Sequence, residues 1–238
     1  MTKSYDIFNG DADGICALHQ LRLAYPHSAE LVTGVKRDIK LLERVHAQRG
    51  DQLTVVDVSL KSNAAALARA LENGAQVRYF DHHTAGTLPQ HAGLEAHIDT
   101  APDVCTSLIV DRHIGGCHRL WAVVGAFGDN LVSAAVRAAQ PLALDHTDLA
   151  RLHALGDCLN YNAYGESLED LHYHPADLYR AISRYRDPRN FLFDEPVFGV
   201  LKNACAEDLY RAEDVQPHCA SDTAAIYLLP DAAWSRRV

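Results

Sequence analysis

Seven side chains within the first 130 residues have the chemistry of a divalent-metal site. Five are aspartates and two are adjacent histidines: Asp11, Asp13, Asp57, Asp81, His82, His83 and Asp129. Carboxylates held close together repel one another, and bound divalent cations remove that repulsion. Oxygen-rich ligands with one or two imidazoles suit manganese or magnesium better than zinc. Because two such ions can clamp a phosphate group and generate a hydroxide nucleophile, this set predicts phosphate ester chemistry.

Short β-type runs alternate with helical segments in the first 100 residues. The predicted strands are Tyr5–Phe8, Glu30–Val35, Leu53–Val58 and Val77–Phe80, with a fifth at Leu94–Ile98. The stretches between them have helical spacing, at Ile15–Tyr25, Ile39–Gln48 and Asn63–Asn73. Strand followed by helix, repeated, is typical of βαβ units. The sequence therefore predicts an α/β fold with a parallel β-sheet flanked by helices.

The pattern changes after Val104, where helical segments follow one another and strand signals are scarce until Ala224–Leu229. We therefore expect an α/β metal-binding core over residues 1–130. A mainly helical C-terminal portion is expected over residues 131–238. The last strand and a helix start stand close to the end of the sequence, so we expect this portion to include the start of a truncated C-terminal region.

The acidic residues follow the predicted strands at the points where the strands end. Asp11 and Asp13 come after the first strand, Asp57 lies near the end of the third, and Asp81 follows the fourth. Taken alone, each has a simpler explanation: a Gly-flanked turn, a helix cap, a paired acid or exposed polar residues. Ligands of parallel α/β sheets bind at the carboxyl ends of the strands. Together, these residues predict a site at that edge.

The order Asp-x-Asp-Gly, strand-end Asp, Asp-His-His and Gly-Asp over about residues 5–130 resembles the DHH phosphoesterase superfamily. This superfamily includes RecJ-type exonucleases, nanoRNases, cyclic-dinucleotide phosphodiesterases, exopolyphosphatases and family II pyrophosphatases. The resemblance implies a DHH-type N-terminal domain and a hydrolase that activates water with two metal ions. Mn²⁺ is the implied ion, with Mg²⁺ or Co²⁺ as alternatives.

The resemblance also implies a role for each matching residue. One ion would bind Asn9, Asp11 and Asp57, and the other would bind the set Asp13, Asp57, His82 and Asp129. His83 would contact the scissile phosphate or assist the leaving group. Asp81 would orient a histidine from behind, so the implied catalytic residues are His83, Asp81 and Asp57.

Two features depart from the family pattern. RecJ-like relatives usually have a histidine two residues before the first motif aspartate, whereas this chain has Asn9, as some exopolyphosphatase relatives do. Many relatives also carry a C-terminal substrate-binding domain with a Gly-Gly-Gly-His type motif, which this sequence lacks. The first difference concerns metal affinity, and the second concerns how substrate is held.

Candidate substrate contacts lie close to the same edge. Lys36 and Arg37 follow the second predicted strand and are expected to bind a phosphate, together with His83. Ser107 begins a predicted helix, where hydroxyl and backbone N–H groups can bind phosphate. Simple solvated loop cations are the alternative explanation for Lys36 and Arg37.

The composition narrows the choice of substrate. The chain has 31 acidic and 22 basic residues and a formal net charge of -9. Because a long polyanion needs a basic face, long duplex DNA is disfavoured, and a small nucleotide or short single-stranded oligonucleotide is expected as the substrate. The alternatives are a phosphoanhydride hydrolase acting on pyrophosphate or polyphosphate, and a catalytically weakened binding protein of the same fold.

The cysteines and the N-terminus indicate the compartment. None of the six cysteines falls at a Cys-x-x-Cys spacing, so they are expected to be buried thiols in a reducing environment. We find neither a signal peptide nor a membrane-spanning stretch, and we expect a cytoplasmic protein. The sequence leaves a homo-oligomer open.

Overall fold

The computed structural model describes residues 2–238 of the chain. Its centre is a five-stranded sheet in which every pairing is parallel, with the strand order β2-β1-β3-β4-β5. The strands are β1 Ser4–Phe8, β2 Glu30–Val32, β3 Gln52–Val56, β4 Gln76–Asp81 and β5 Leu94–Ile98. The predicted α/β fold with a parallel sheet is confirmed, including the fifth strand.

Both faces of the sheet are buried. Side chains along a strand point alternately to opposite faces, so neighbouring residues of one strand belong to two different cores. Ile7 and Val55 belong to one buried cluster, which also contains apolar residues of α2 (Leu60–Glu72). Phe8 and Val56 belong to the opposite cluster, which continues into the helical part of the chain. Side chains from both ends of the chain, such as Phe8 and Leu201, therefore share one core.

The strand order reverses beside β1, since β2 lies on one side of it and β3 on the other. In open parallel sheets, ligands bind in the crevice at such a reversal, outside the carboxyl ends of the strands. Asp11 lies in the loop after β1, Asp13 lies in the first turn of the helix that follows it, and Asp57 directly follows β3. The topology therefore places three of the predicted ligands around this crevice.

Within residues 2–238, nine further helices complete the fold. They are α1 Ala12–Ala24, α3 Thr106–His113, α4 Arg119–Gly128, α5 Val132–Ala139, α6 His146–Ala163, α7 Pro175–Ile182, α8 Pro188–Asp194, α9 Val197–Glu213 and α10 Ala233–Arg237. In this described part of the chain, no helix is long and apolar enough to cross a membrane. The expectation of a mainly helical portion after residue 130 agrees with this arrangement.

Two local predictions are wrong. The predicted helix at Ile39–Gln48 is an irregular segment with one 3₁₀ turn at Leu41–Arg44, whose two leucines are buried beneath α2. The predicted strand at Ala224–Leu229 contributes only two residues, β7 Ala225–Ile226, which pair with β6 Cys219–Ala220. Both segments contain several apolar residues, so their composition did not reveal how short the regular parts are.

His19 is buried inside the helical layer, on α1. Its Nε2 atom lies 2.8 Å from the carbonyl oxygen of Tyr185, so this nitrogen carries the proton and donates. The ring also meets Trp121 edge-on, with 4.8 Å between ring centroids. Burial lowers the pKa of His19 to about 4, so the ring is neutral at physiological pH.

All six cysteines are free thiols. Cys16, Cys105 and Cys158 are buried, as expected, and burial raises the pKa of each thiol. The expectation is wrong for Cys117 and Cys219, which are exposed. These two lie in a turn before α4 and in the short β6 strand, where there is no core to cover them.

Candidate metal centre

The loop after β1 holds its aspartates through backbone N–H groups. Asp11 caps the N-terminus of α1, and its Oδ1 atom accepts from the Gly14 N–H at 3.0 Å. Asp13 lies in the first turn and accepts from the backbone N–H groups of Thr106 and Ser107, both at 2.7 Å. Because these two donors begin α3, the carboxylate of Asp13 is fixed in position across two elements.

The close approach of α4 to this loop depends on Gly125. A Cβ atom at this position would lie 2.2 Å from the hydroxyl oxygen of Ser107 and 3.3 Å from Oδ1 of Asp13. A helix with a larger residue here would have to move away from Asp13. Gly125 therefore allows the C-terminal end of α4, where Asp129 lies, to reach the same site.

Asp57 has an unusual backbone conformation, with a φ of 58° in the left-handed region. Aspartate and asparagine tolerate this region better than most residues, and such strain concentrates at functional sites. Its side chain is buried, and Oδ1 accepts from the Thr106 hydroxyl at 3.0 Å. Thr106 therefore helps to place both Asp13 and Asp57.

The two histidines are oriented differently. The Nδ1 atom of His82 lies 3.1 Å from the carbonyl oxygen of Val104 and donates to it, which leaves Nε2 with a lone pair. That Nε2 atom lies 3.5 Å from Oδ1 of Asp57 and 3.8 Å from Oδ2 of Asp129. His82 therefore presents the nitrogen that a metal would need, with its other nitrogen held in the manner typical of metal ligands.

Asp81 is fully buried and supports the neighbouring histidine. Its Oδ1 atom lies 2.7 Å from Nδ1 of His83, and its Oδ2 atom accepts from the backbone N–H of Leu60 at 3.2 Å. The hydrogen bond that His83 donates to Asp81 raises the pKa of His83, which favours the protonated imidazolium. The sequence-based expectation that Asp81 orients a histidine agrees with this contact.

The centre carries more negative charge than its surroundings can neutralise. Burial, followed by repulsion from Asp11, Asp13 and Asp129, raises the pKa of Asp57 well above its usual range. Burial, followed by repulsion from Asp13 and Asp11, raises the pKa of Asp129 to about 6. Burial also opposes ionisation of Asp11, but Lys36 and the Gly14 N–H outweigh it and lower its pKa. Carboxylates that resist ionisation in this way are typical of sites built for cations.

The donor atoms converge closely enough to hold a divalent ion. Asp13, His82 and Asp129 offer ligand atoms within 4.8 Å of one another, and Asp57, His82 and His83 form a second such group. Carboxylate oxygens with imidazole nitrogen fit Mn²⁺ or Mg²⁺. Three of the four residues that the resemblance assigned to one ion, Asp13, His82 and Asp129, therefore fit that ion. The fourth, Asp57, lies 3.5 Å from Nε2 of His82.

The cavity beside these ligands has a volume of about 130 Å³. It is lined by Asn9, Asp11, Lys36, Asp38, Ile39, Asp57, Val58, Ser59, His82, His83 and Asp129. Asp13 and Asp81 lie behind this lining and are buried. The predicted residues thus meet at one place, as their positions after neighbouring strands indicated.

Lys36, Arg37 and Ser107, which were expected to contact the substrate, lie in different positions relative to the cavity. Lys36 lines the cavity, whereas Arg37 is exposed and is not among the lining residues. Ser107 is fully buried, and both its N–H and its hydroxyl donate to Asp13. Ser107 therefore positions Asp13 instead of facing the cavity, because Gly125 brings α4 over it.

Two residues at the C-terminal end of α6, Asn160 and Tyr164, contact Lys36. The sequence did not indicate this role for either residue. The Nζ atom of Lys36 lies 2.9 Å from Oδ1 of Asn160 and 5.8 Å from the centre of the Tyr164 ring. The segment 159–165 reads as a polar loop in the sequence, but residues up to Ala163 belong to α6. Asn160 is distant from Lys36 along the chain, so no local pattern indicates their contact.

The contact between Asp81 and His83 predicts a moderate loss on substitution. In an Asp81→Asn variant, the amide oxygen can still accept from a backbone N–H, but the negative charge that favours the imidazolium is lost. Loss of such an outer partner typically costs about 10- to 100-fold in activity or metal affinity. We expect the rate with Mn²⁺ to fall by about this factor, and the pH-rate profile to shift to lower pH as the pKa of His83 falls. An unchanged rate and profile would contradict the supporting role of Asp81.

Comparisons with known proteins were made by family, by sequence and by structure. No model of a protein family matches the chain, and no curated protein does so by sequence. Among solved structures, one similar chain is described as the DHH domain of a member of the s1p family of ribosomal proteins. It is 14% identical over 91% of this chain, with a TM-score of 0.54.

Two other structures are also similar. An exonuclease RecJ bound to manganese is 19% identical over 89% of this chain, with a TM-score of 0.45. RecJ from Thermus thermophilus in complex with Mn²⁺ is 20% identical over 89%, with a TM-score of 0.42. This chain spans 63%, 60% and 36% of the RecJ exonuclease, the DHH-domain protein and the Thermus RecJ, respectively.

The fold assignment is based on the DHH-domain structure, whose TM-score exceeds 0.5. That similarity extends over 91% of the chain. The resemblance predicted from the order of the aspartates and histidines is confirmed at the level of the fold. The chain has the same fold as that DHH-domain structure.

Proposed function

We propose that the chain is a divalent-metal-dependent phosphodiesterase acting on small nucleotides or short single-stranded oligonucleotides. One observation carries the proposal: Asp13, His82 and Asp129 present their ligand atoms together at the reversal of the strand order, and Asp57 lies 3.5 Å from the same His82 nitrogen. Buried carboxylates in such a cluster are costly unless a cation compensates them. A DHH fold with this donor set supports metal-assisted hydrolysis over a purely structural role.

A divalent ion on these ligands would supply Lewis acidity, which polarises a phosphate ester and makes water a better nucleophile. The chain's own residues would supply the remaining chemistry. His83 lines the cavity, and its raised pKa keeps a proton available for the leaving oxygen. Lys36 supplies fixed positive charge near the site. Asp81 holds His83 in place.

The cavity size favours a reaction at an exposed phosphate group. Pockets that enclose a drug-sized ligand have volumes of about 300–1,000 Å³. The volume here is about 130 Å³, which suits a phosphate group but not a nucleoside. The nucleoside would then lie outside the cavity, so we expect weak discrimination among bases and a preference for terminal or small substrates.

A substrate panel tests this proposal. Purified protein would be assayed with Mn²⁺, with Mg²⁺ and with a chelator on pApA, a short RNA, cyclic di-AMP, single-stranded DNA and pyrophosphate. We expect turnover of at least one phosphodiester with Mn²⁺ and none with the chelator. A His82→Gln variant should lose this activity, whereas His27→Gln, at an exposed position, should retain it. Turnover that resists chelation, or no turnover of any phosphodiester, would reject the proposal.

Phosphoanhydride hydrolysis is the second candidate, and two observations favour it. Asn9 stands where RecJ-like relatives usually have histidine, and Lys36 brings a cation into the cavity, which a compact polyanion requires. Pyrophosphate turnover that exceeds the turnover of every phosphodiester in the panel would select this candidate.

A further inference from the structure

Lys36 lies in the part of the centre where the family pattern places the first metal ion. Its Nζ atom is 2.7 Å from Oδ2 of Asp11 and 3.7 Å from Oδ1 of Asp129. Asp11 is one of the ligands that the resemblance assigned to that ion. The ammonium group of Lys36 is therefore already present where the ion would neutralise the negative charge of Asp11.

The lysine is held in this place by the fold. Its backbone N–H donates to the carbonyl oxygen of Ala163 at 3.0 Å, and its carbonyl oxygen accepts from Nδ2 of Asn9 at 3.3 Å. Asn160 accepts from the ammonium group at 2.9 Å, and Tyr164 covers it. A solvated surface lysine would have none of these contacts, so this ammonium group is a built part of the centre.

The oxygen atoms expected to bind the first ion already have partners. Oδ1 of Asp11 accepts from the Gly14 N–H, and Oδ2 accepts from Lys36. Oδ1 of Asn9 accepts from the Asp11 N–H at 3.2 Å. An ion at this position would have to displace these bonds and approach a fixed ammonium group, which repels it. The residues here fit a lysine better than a metal.

The second position has a free imidazole nitrogen and lies farther from the ammonium group, since Lys36 is 3.7 Å from Asp129 but 2.7 Å from Asp11. The carboxylate oxygen atoms of Asp13 accept from neutral backbone N–H groups, which carry no full positive charge to repel an ion. Nε2 of His82 has a free lone pair and faces Asp57 and Asp129, and no lysine or arginine forms an ion pair with Asp13 or Asp57 within residues 2–238. On the proposed function, on which this inference rests, the ion belongs there.

We propose that Lys36 takes the place of the first metal ion, so that the chain binds one divalent ion, on Asp13, Asp57, His82 and Asp129. The ammonium group then neutralises Asp11 and provides a fixed positive charge beside the bound phosphate. The centre would then hold one ion where the family pattern has two, and Asn9 and Lys36 are the two residues that account for this difference.

Manganese stoichiometry tests this inference without reference to turnover. Isothermal titration of the metal-free protein with Mn²⁺ would count the ions, and EPR would distinguish an isolated Mn²⁺ ion from an exchange-coupled pair. We expect one ion and no coupled pair in the wild type. Lys36→Met keeps the length of the side chain but removes its charge, and should bind two ions. Lys40→Met, at an exposed position nearby, is the matched control and should still bind one.

Each result has a defined meaning. One ion in the wild type and two in Lys36→Met would support the inference. Two ions with a coupled EPR signal in the wild type would overturn it and leave the proposed function standing. One ion in a folded Lys36→Met variant would show that Lys36 is not what excludes the first ion, and would also overturn it. No Mn²⁺ binding by the wild type would reject the proposed function itself. If the variant does not fold, the wild-type EPR spectrum still decides.

Discussion

Asp57→Asn should abolish metal-dependent hydrolysis while making the metal-free protein more stable. Asn tolerates the left-handed backbone at this position, so the substitution removes charge without disturbing the turn. Loss of an outer-shell partner already costs about 10- to 100-fold, so loss of this central ligand should reduce kcat/KM by at least about 1,000-fold. The amide carries no charge, so it avoids the cost of burying a carboxylate and the repulsion from neighbouring carboxylates that raise the pKa of Asp57.

Two measurements on the same variant check this expectation. Steady-state kinetics with Mn²⁺ would measure the loss of activity. Thermal denaturation in chelator should show a midpoint more than about 2 °C above wild type, the shift for about 1 kcal/mol in a chain of this size. Asp222→Asn, in the exposed turn between β6 and β7, is the control and should change neither value. Activity within tenfold of wild type would remove Asp57 from the metal centre.

His19 should make the fold sensitive to acid. Its pKa is lowered from 6.5 to about 4 because the ring is buried, so the unfolded chain binds a proton in a range where the folded protein does not. Its contribution to stability is therefore present above about pH 6.5 and is lost as the pH falls toward about 4. The difference of about 2.5 between the two pKa values corresponds to a loss of about 3 kcal/mol in the free energy of unfolding once the pH is below both values.

A His19→Gln variant isolates this contribution. Glutamine keeps an N–H donor for the carbonyl oxygen of Tyr185 but does not titrate. Urea denaturation in chelator at pH 7 and pH 4.5 would give the free energy of unfolding for both proteins. The drop on acidification should be about 2 to 3 kcal/mol smaller in the variant, since all other titrating groups are common to both. An equal drop would show that His19 is not the group responsible.

The sequence predicted the parts of the fold that depend on local pattern. The alternation of apolar runs predicted β1 to β5 because parallel strands are buried on both faces. The clustering of Asp11, Asp57 and His82 followed from topology alone, since each stands after a strand of one sheet. For these residues, position along the chain and position in space are linked by a simple rule.

Contacts between distant segments could not be predicted in this way. The pairing of Lys36 with Asn160 depends on where α6 ends, and the burial of Ser107 depends on the close approach of α4 at Gly125. The segment after Ile39 reads as helical because of its leucines, yet these leucines pack under α2 from an irregular backbone. Tertiary packing decided each of these outcomes, and local propensity carries no information about it.

The left-handed backbone at Asp57 bears on how quickly the protein should exchange the metal ion that we propose it binds. The turn after β3 and the Thr106 hydroxyl hold the carboxylate, so an incoming ion has no loop to rearrange. Loading should accordingly proceed in a single rapid stopped-flow phase, limited by entry and by dehydration of the ion. Repeated stripping and reloading should leave the circular dichroism spectrum unchanged, as in a rigid receptor and unlike a domain that folds around its metal.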